Sequence, residues 1–157
     1  MSPAPHLHLA KHHVMRLEVP PDAVFPLLCP VRERDWLEGW EADILYAPSG
    51  HAEPGCVFTT PGHTAEPWVW IISRHEAAAG AVQFAIHAPG SHVTLLEIQA
   101  EPEGTGSLVA WTYASTALTE QGEAFVQTYM DGFEARMERL EARLGHYLRT
   151  GSALAGA

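Results

Sequence analysis

The sequence predicts an α+β fold in which an antiparallel sheet of about six to seven strands wraps around a long C-terminal helix. Three observations support this prediction. An amphipathic helical pattern runs from residue 119 to about residue 149 of the 157-residue chain. Short segments with strand character, separated by turn residues, fill most of the sequence before that helix. A run of strands followed by a helix is typical of α+β domains and not of alternating α/β domains.

The terminal helix is predicted from the spacing of its apolar residues, which recur at steps of 3 or 4 residues and form one stripe. Like charges stand one turn apart in this segment, so ion pairs along the helix do not stabilise it. We therefore expect the apolar stripe to pack against another element. Its members are Phe125, Tyr129, Phe133, Met137, Leu140, Leu144 and Tyr147 with Leu148.

The remaining elements are predicted from alternation and from Pro- and Gly-containing breaks. The first strand covers residues 12–19 and ends at Pro20 and Pro21. Two short helices follow, at residues 23–28 and 31–39. Short connections between the later strands imply antiparallel pairing. These strand candidates are residues 41–47, 55–60, 68–75, 81–88, 92–101 and 107–116.

The chain is expected to form a single domain at residues 12–149, with a flexible N-terminus at residues 1–11 and a flexible tail at residues 150–157. The N-terminal segment has neither the basic region nor the apolar stretch of a signal peptide, and no apolar run approaches the length of a membrane span. We therefore expect a cytoplasmic protein without membrane insertion.

Charge disfavours some partners. With 19 acidic and 9 basic residues the formal net charge is −10, which disfavours binding to nucleic acid or to anionic membrane surfaces. The two cysteines, Cys29 and Cys56, form no disulfide framework and no paired motif, so two buried, reduced thiols are expected.

No motif of a known catalytic or metal centre is present. The sequence lacks the GxSxG, HExxH, P-loop and GxGxxG patterns. Ten histidines include a cluster at His6, His8, His12 and His13, but a zinc site needs three or four preorganised ligands. We expect neither a metal site nor a cofactor.

Four strings carry a resemblance to a known superfamily: LEVPPDAVF at residues 17–25, DWLEGW at 35–40, GCVFTT at 55–60, and WTY at 111–113 followed by TALTEQG at 116–122. They resemble the START-like, Bet v 1-like and polyketide-cyclase-like proteins, also called SRPBCC, over roughly residues 12–149. The resemblance implies the helix-grip fold, in which the sheet folds around the terminal helix and encloses a cavity. Members of the superfamily bind lipids, sterols, aromatic polyketides or plant hormones, and a few are enzymes.

The candidate ligand-binding residues are mostly aromatic, because an apolar pocket with a few polar groups is what a small-molecule site needs. Gly132 is included because a missing side chain on the apolar side of the helix would leave room. Packing of the same rings into an ordinary core is the alternative. The full set is Trp36, Trp40, Tyr46, Phe58, Trp70, Phe84, His87, Trp111, Tyr113, Tyr129, Gly132 and Phe133.

The predicted function is binding of a hydrophobic small molecule, aromatic or lipid-like, between the sheet and the C-terminal helix. Two alternatives remain open: a polyketide cyclase or dehydratase, and an interaction module that resembles the Hsp90-ATPase activators. A homodimer through an exposed sheet edge or the Trp68 and Trp70 region is also left open. The general acid or base candidates are His87, Glu97, Arg74, Glu66 and Tyr113, although their spacing does not show that any two meet.

Overall fold

The structure, a computed structural model, describes residues 6–62 and 65–155. In these residues seven strands form one antiparallel sheet in the order β1-β7-β6-β5-β4-β3-β2. The order follows from short connections, since each consecutive pair from β2 to β7 lies side by side. The strands are β1 (His8–Leu17), β2 (Asp43–Tyr46), β3 (Val57–Thr60), β4 (Trp68–Glu76), β5 (Ala81–Ala88), β6 (His92–Glu103) and β7 (Gly106–Ala117).

Two short helices connect β1 to β2, and two longer helices follow β7. Helix α1 (Pro21–Val24) continues into a 3-10 turn at Phe25–Leu27, and α2 (Glu33–Trp36) follows it. Helices α3 (Glu120–Asp131) and α4 (Phe133–Thr150) pack on the inner face of the sheet. The predicted α+β architecture, with a sheet wrapped around C-terminal helical structure, is confirmed.

The first strand begins earlier than predicted. It starts at His8 because the backbone pairs with β7 from that residue onward, where His8 lies opposite Thr116. Leu7 and Leu9 pack against a small core cluster, which contains Val126 and Met130 of α3. The predicted boundary at residue 12 is therefore too late. Residues 1–5 of the predicted flexible segment lie outside the described residues.

The long terminal helix is divided, contrary to the prediction of one continuous helix. Gly132, with φ of −93° and ψ of 8°, separates α3 from α4. In α3 the residues that face the sheet are Val126 and Met130, which are almost fully buried, whereas the predicted Phe125 is only half-buried. In α4 the predicted stripe is correct at Phe133, Met137 and Leu144, all of which are buried.

The inner face of the sheet is apolar and mostly buried, and its outer face is partly exposed. On β6 buried and exposed residues alternate strictly from His92 to Glu101. Trp68 and Trp70 lie on the inner face, where Trp68 packs against Phe125 and Trp70 stacks on Phe58. Both side chains are half-buried there, and the neighbouring Val69 and Ile71 face outward and are exposed. The main core therefore lies between this inner face, α4 and the α1–α2 segment.

Candidate functional site

A cavity of about 280 Å³ lies between the inner face of the sheet, helix α4 and the segment that contains α2. Its wall is mainly aromatic and aliphatic, with a few ionisable groups. The lining residues are Glu33, Trp36, Leu37, Trp40, Trp70, Phe84, Leu96, Ile98, Trp111, Tyr113, Tyr129, Arg136, Met137, Arg139, Leu140 and Arg143.

The sheet side of the wall follows directly from strand register. Phe84 of β5 lies opposite Leu96 of β6, which in turn lies opposite Tyr113 of β7. In the next inward row Ile98 lies opposite Trp111. Because side chains alternate between the two faces of a sheet, these residues of three neighbouring strands all point to the same side.

The α2 side of the wall follows from helical spacing. Glu33, Trp36, Leu37 and Trp40 stand at positions i, i+3, i+4 and i+7, although the helix itself ends at Trp36. Two indoles, of the buried Trp36 and the half-buried Trp40, hold this segment in place. Trp36 Nε1 donates to the Leu27 carbonyl oxygen at 2.9 Å, and Trp40 Nε1 donates to the Pro30 carbonyl oxygen at 2.9 Å.

The four tryptophans of the wall differ in one respect. The indole N–H groups of Trp36 and Trp40 have carbonyl acceptors, and Trp70 Nε1 donates to Thr60 Oγ1 at 2.9 Å. Trp111 is only 3% exposed, and no group in the described part of the chain accepts a hydrogen bond from its Nε1. A buried donor without an acceptor is uncommon in folded proteins. Trp111 therefore presents an unused donor at the cavity wall.

Arg136 presents a second unused donor. Its guanidinium carbon lies 3.5 Å from the centroid of the Tyr129 ring, and Nη1 donates to the Tyr129 carbonyl oxygen at 3.0 Å. Its Nη2 atom is buried and has no acceptor among the described residues. None of the ion pairs in the described part of the chain includes Arg136.

Glu33 is the one carboxyl group in the cavity wall. Desolvation of this half-buried side chain raises its pKa to about 8, so it is mostly protonated at neutral pH. Burial also raises the pKa of Tyr113 well above its ordinary value. The Tyr113 pKa responds further to Glu33, which raises it, and to Arg136, which lowers it, so its phenol lies within electrostatic reach of both groups.

Seven of the twelve predicted ligand-binding residues line the cavity: Trp36, Trp40, Trp70, Phe84, Trp111, Tyr113 and Tyr129. Phe58 and Phe133 are each 1% exposed and lie in the core behind the wall, where Phe58 stacks on Trp70 and Phe133 contacts Tyr113. A role of any of these residues in ligand binding remains a proposal.

The other three predicted residues lie away from the cavity. His87 is exposed because Phe84 and Ile86 point inward and the next residue of β5 points outward. Tyr46 is 57% exposed because a register irregularity follows Ile44 in β2. Gly132 is exposed at the break between α3 and α4, so it leaves no room inside the cavity.

Of the five predicted acid or base candidates, only Tyr113 lines the cavity. His87, Glu97, Arg74 and Glu66 are exposed, and Arg74 pairs with Glu76 at 2.6 Å. The sequence analysis missed Glu33 and Arg136. Glu33 could have been found, since it begins the stripe that continues through Trp36, Leu37 and Trp40. Arg136 follows Phe133 by one turn, but charged residues next to an apolar stripe are common at helix surfaces.

Residues 6–62 and 65–155 contain no group of three or more His, Cys, Asp or Glu side chains that could hold a metal ion. The predicted histidine cluster has other contacts, since His8, His12 and His13 bond to Thr116, Thr112 and Glu141. No helix in the described part of the chain is long and apolar enough to cross a membrane.

Comparisons with known proteins identify the fold. No family model matches the chain, and neither does any curated protein sequence. Among solved structures, norcoclaurine synthase from Thalictrum flavum, in complex with dopamine and hydroxybenzaldehyde, matches with a TM-score of 0.65 and 13% identity. That match covers 88% of this chain and 87% of the synthase.

Two further structures have the same architecture. Ara h 8.0201 matches with a TM-score of 0.61 and 14% identity over 91% of this chain and 99% of its own. DynU16, a protein of the dynemicin biosynthetic locus, matches with a TM-score of 0.64 and 13% identity over 91% of this chain. The chain spans about half the length of DynU16, 48%. These likenesses confirm the expected resemblance: the chain has the helix-grip fold of the Bet v 1-like and polyketide-cyclase-like proteins.

Proposed function

We propose that the protein binds a compact, aromatic small molecule in the cavity between the sheet and α4. The observation that carries this proposal is the cavity itself, with seven aromatic side chains in its wall. Pockets for small molecules are mostly apolar and contain a few placed polar groups. Trp111, Arg136, Tyr113 and Glu33 are among the polar groups of this wall.

Size and lining favour a compact ring system over a long acyl chain. The cavity volume of about 280 Å³ lies near the lower end of the range for small-molecule sites, roughly 300 to 1,000 Å³. Aromatic rings in the wall can contact a flat ligand edge to face or stacked. The norcoclaurine synthase structure, which has the same fold, contains two small aromatic molecules, dopamine and hydroxybenzaldehyde.

The test is uptake of the neutral aromatic probes 2-naphthamide and N-phenyl-1-naphthylamine, measured by calorimetry and by probe fluorescence. We expect saturable binding with a stoichiometry of one to the native protein. Replacing Leu140, a half-buried residue of the wall, with Trp fills the cavity and should abolish binding. Native mass spectrometry of the purified protein, followed by solvent extraction, then identifies any compound that copurifies.

The matched control is Leu148→Trp. Leu148 is a half-buried leucine of the same helix that packs on the core but does not line the cavity. This variant should bind both probes as the native protein does, and thermal melts should show that both variants fold. Equal uptake by the Leu140 variant, or no uptake by the native protein, would contradict binding in this cavity.

A cyclase-like or dehydratase-like activity is a second candidate because the cavity contains ionisable groups that can transfer protons. The Glu33 carboxyl, with a pKa of about 8, and the Tyr113 phenol line the same wall. A carboxyl group with a pKa near the working pH is suited to general acid and base catalysis. If the protein is an enzyme of this kind, Glu33→Gln should retain 2-naphthamide binding and lose at least about 100-fold in turnover of a β-polyketone substrate. An unchanged turnover rate would remove Glu33 from the mechanism.

The interaction-module alternative, the cytoplasmic location and a homodimer through a sheet edge or the Trp68 and Trp70 region remain predictions from the sequence.

A further inference from the structure

We propose that the ligand of the cavity is an aromatic acid, whose carboxylate is bound by the Arg136 guanidinium and which also accepts a hydrogen bond from Trp111 Nε1. This inference rests on the proposed function and specifies the ligand class of the same site. It is carried by two unused donors and by the distribution of charge around the cavity.

The two unpaired hydrogen-bond donors favour some classes of ligand over others. Trp111 and Arg136 line the same cavity, and their buried Nε1 and Nη2 atoms have no acceptor within residues 6–62 and 65–155. A buried polar group that is left unpaired costs about 1 to 3 kcal/mol, and more when it is charged. A purely hydrocarbon ligand that displaced water from the cavity would leave both donors unpaired. A ligand with oxygen acceptors would satisfy them.

The groups around the Arg136 guanidinium favour a ligand acceptor that is negatively charged. The Tyr129 ring, phenol and carbonyl oxygen hold the guanidinium, but they are neutral groups that supply only partial negative charge. In the described part of the chain no ion pair joins Arg136 to Glu33 or to another carboxylate. A carboxylate on the ligand would pair with the guanidinium, and hydrogen bonds between two charged groups are the stronger kind.

The wider charge pattern agrees with this assignment. Three of the nine basic residues of the chain, Arg136, Arg139 and Arg143, line the cavity, although the net charge of the protein is −10. The one carboxyl group of the wall, Glu33, is mostly neutral at pH 7. The cavity is therefore a locally cationic region, which raises the local concentration of anions. Its aromatic walls and small volume select an aromatic anion over a larger one.

The experiment compares two ligands that differ in charge and share one ring system. Calorimetry at pH 7 measures binding of 2-naphthoate and 2-naphthamide to the native protein and to three variants. We expect the native protein to bind the acid at least about 10-fold more tightly than the amide, which equals about 1.4 kcal/mol. Arg136→Met should abolish this preference, because it removes the charge that distinguishes the two ligands.

The second variant tests the Trp111 donor, and the third is a control for the loss of charge at Arg136. Trp111→Phe should weaken the acid and the amide equally, by about fivefold, since each ligand has an oxygen that accepts from the indole. The control is Arg149→Met, which removes the same charge from an exposed site of α4 outside the cavity wall and should keep the preference. Circular dichroism melts establish that each variant is folded.

The outcomes distinguish the two proposals. Equal affinity for the acid and the amide, or a preference that survives in Arg136→Met, overturns the assignment of an aromatic acid and leaves the cavity as a site for neutral aromatic ligands. Absence of binding by both naphthalene compounds and by N-phenyl-1-naphthylamine overturns the proposed function, and the inference about the acid fails with it.

Discussion

Arg136 makes two contacts with Tyr129. Its Nη1 donates a hydrogen bond to the Tyr129 carbonyl oxygen at 3.0 Å, and its guanidinium carbon lies 3.5 Å from the centroid of the Tyr129 ring. The two residues lie on opposite sides of the break at Gly132, so the contact joins the last turn of α3 to the first turn of α4. It fixes the guanidinium plane at the cavity wall while Nη2 stays unpaired. The break at Gly132 therefore lies between two contacting residues that both line the cavity.

Removing this guanidinium should affect ligand binding more than folding. We expect Arg136→Met to keep the free energy of unfolding within about 1 kcal/mol of the native value or to raise it, because an apolar side chain avoids the desolvation of an unpaired charge. Urea denaturation without ligand measures the change. A loss of more than about 2 kcal/mol would show that the contacts with Tyr129 are mainly structural.

Glu33 should make the unfolding free energy depend on pH. Its pKa is about 8 in the folded protein and near 4.5 for an unperturbed side chain, so the unfolded state releases this proton first as the pH rises. The native protein should therefore lose stability between about pH 5 and pH 8, and the slope should disappear above that range. Glu33→Gln cannot ionise, so its advantage over the native protein should grow with pH to a few kcal/mol.

The comparison isolates Glu33 because the two proteins differ only at that residue. Urea titrations of both proteins at pH 5, 6.5 and 8 are sufficient. A constant difference across the three pH values would mean that the Glu33 carboxyl is ionised in the folded protein throughout.

Gly122 and Gly132 should respond in opposite ways to substitution by alanine. A Cβ at Gly122 would collide with the Ser91 carbonyl oxygen, where the first turn of α3 approaches the turn between β5 and β6. Leu118 N also donates to this oxygen at 2.7 Å, so the backbone there cannot easily move away. We expect Gly122→Ala to lower the free energy of unfolding by about 1 to 3 kcal/mol.

At Gly132 a Cβ would have only ordinary contacts, the nearest being Thr128 O at 3.8 Å, and φ is negative. We expect Gly132→Ala to leave the stability unchanged or to raise it by up to about 1 kcal/mol, since alanine restricts the unfolded chain. Urea denaturation of both variants tests the pair. A larger loss at residue 132 than at residue 122 would mean that the break, and not the close approach to Ser91, needs glycine.

The two cysteines should be unreactive in the folded protein. Cys29 and Cys56 are free and buried, as the sequence analysis expected. Burial raises the pKa of the Cys56 thiol, and Cys29 Sγ accepts a hydrogen bond from Ala52 N at 3.2 Å. We expect labelling by Ellman's reagent to be at least about 100-fold slower than for free cysteine, because the thiolate is the reactive form. Fast labelling of either thiol would indicate local opening near α1 and β3.

The sequence predicted the elements that follow a local repeat. Strand β5 has the predicted bounds, Ala81–Ala88, because Val82, Phe84 and Ile86 alternate without interruption. The same alternation already indicated that His87 faces outward, and the structure places it on the exposed side of β5, outside the cavity wall. Boundaries were less predictable, since His8 belongs to β1 only through its pairing with β7.

By itself the sequence determined the fold class, the shared face of Trp68 with Trp70 and of Val82 with Phe84, and the chance of an apolar cavity, because periodicity fixes which side chains share a face. Only the tertiary structure decided that Gly132 divides the helix and that Glu33 and Arg136 line one cavity. It also decided that Trp111 Nε1 has no acceptor among the described residues, unlike the indoles of the other three tryptophans of the wall. Desolvation and hydrogen-bond satisfaction depend on groups far apart in the sequence, so no local pattern could specify them.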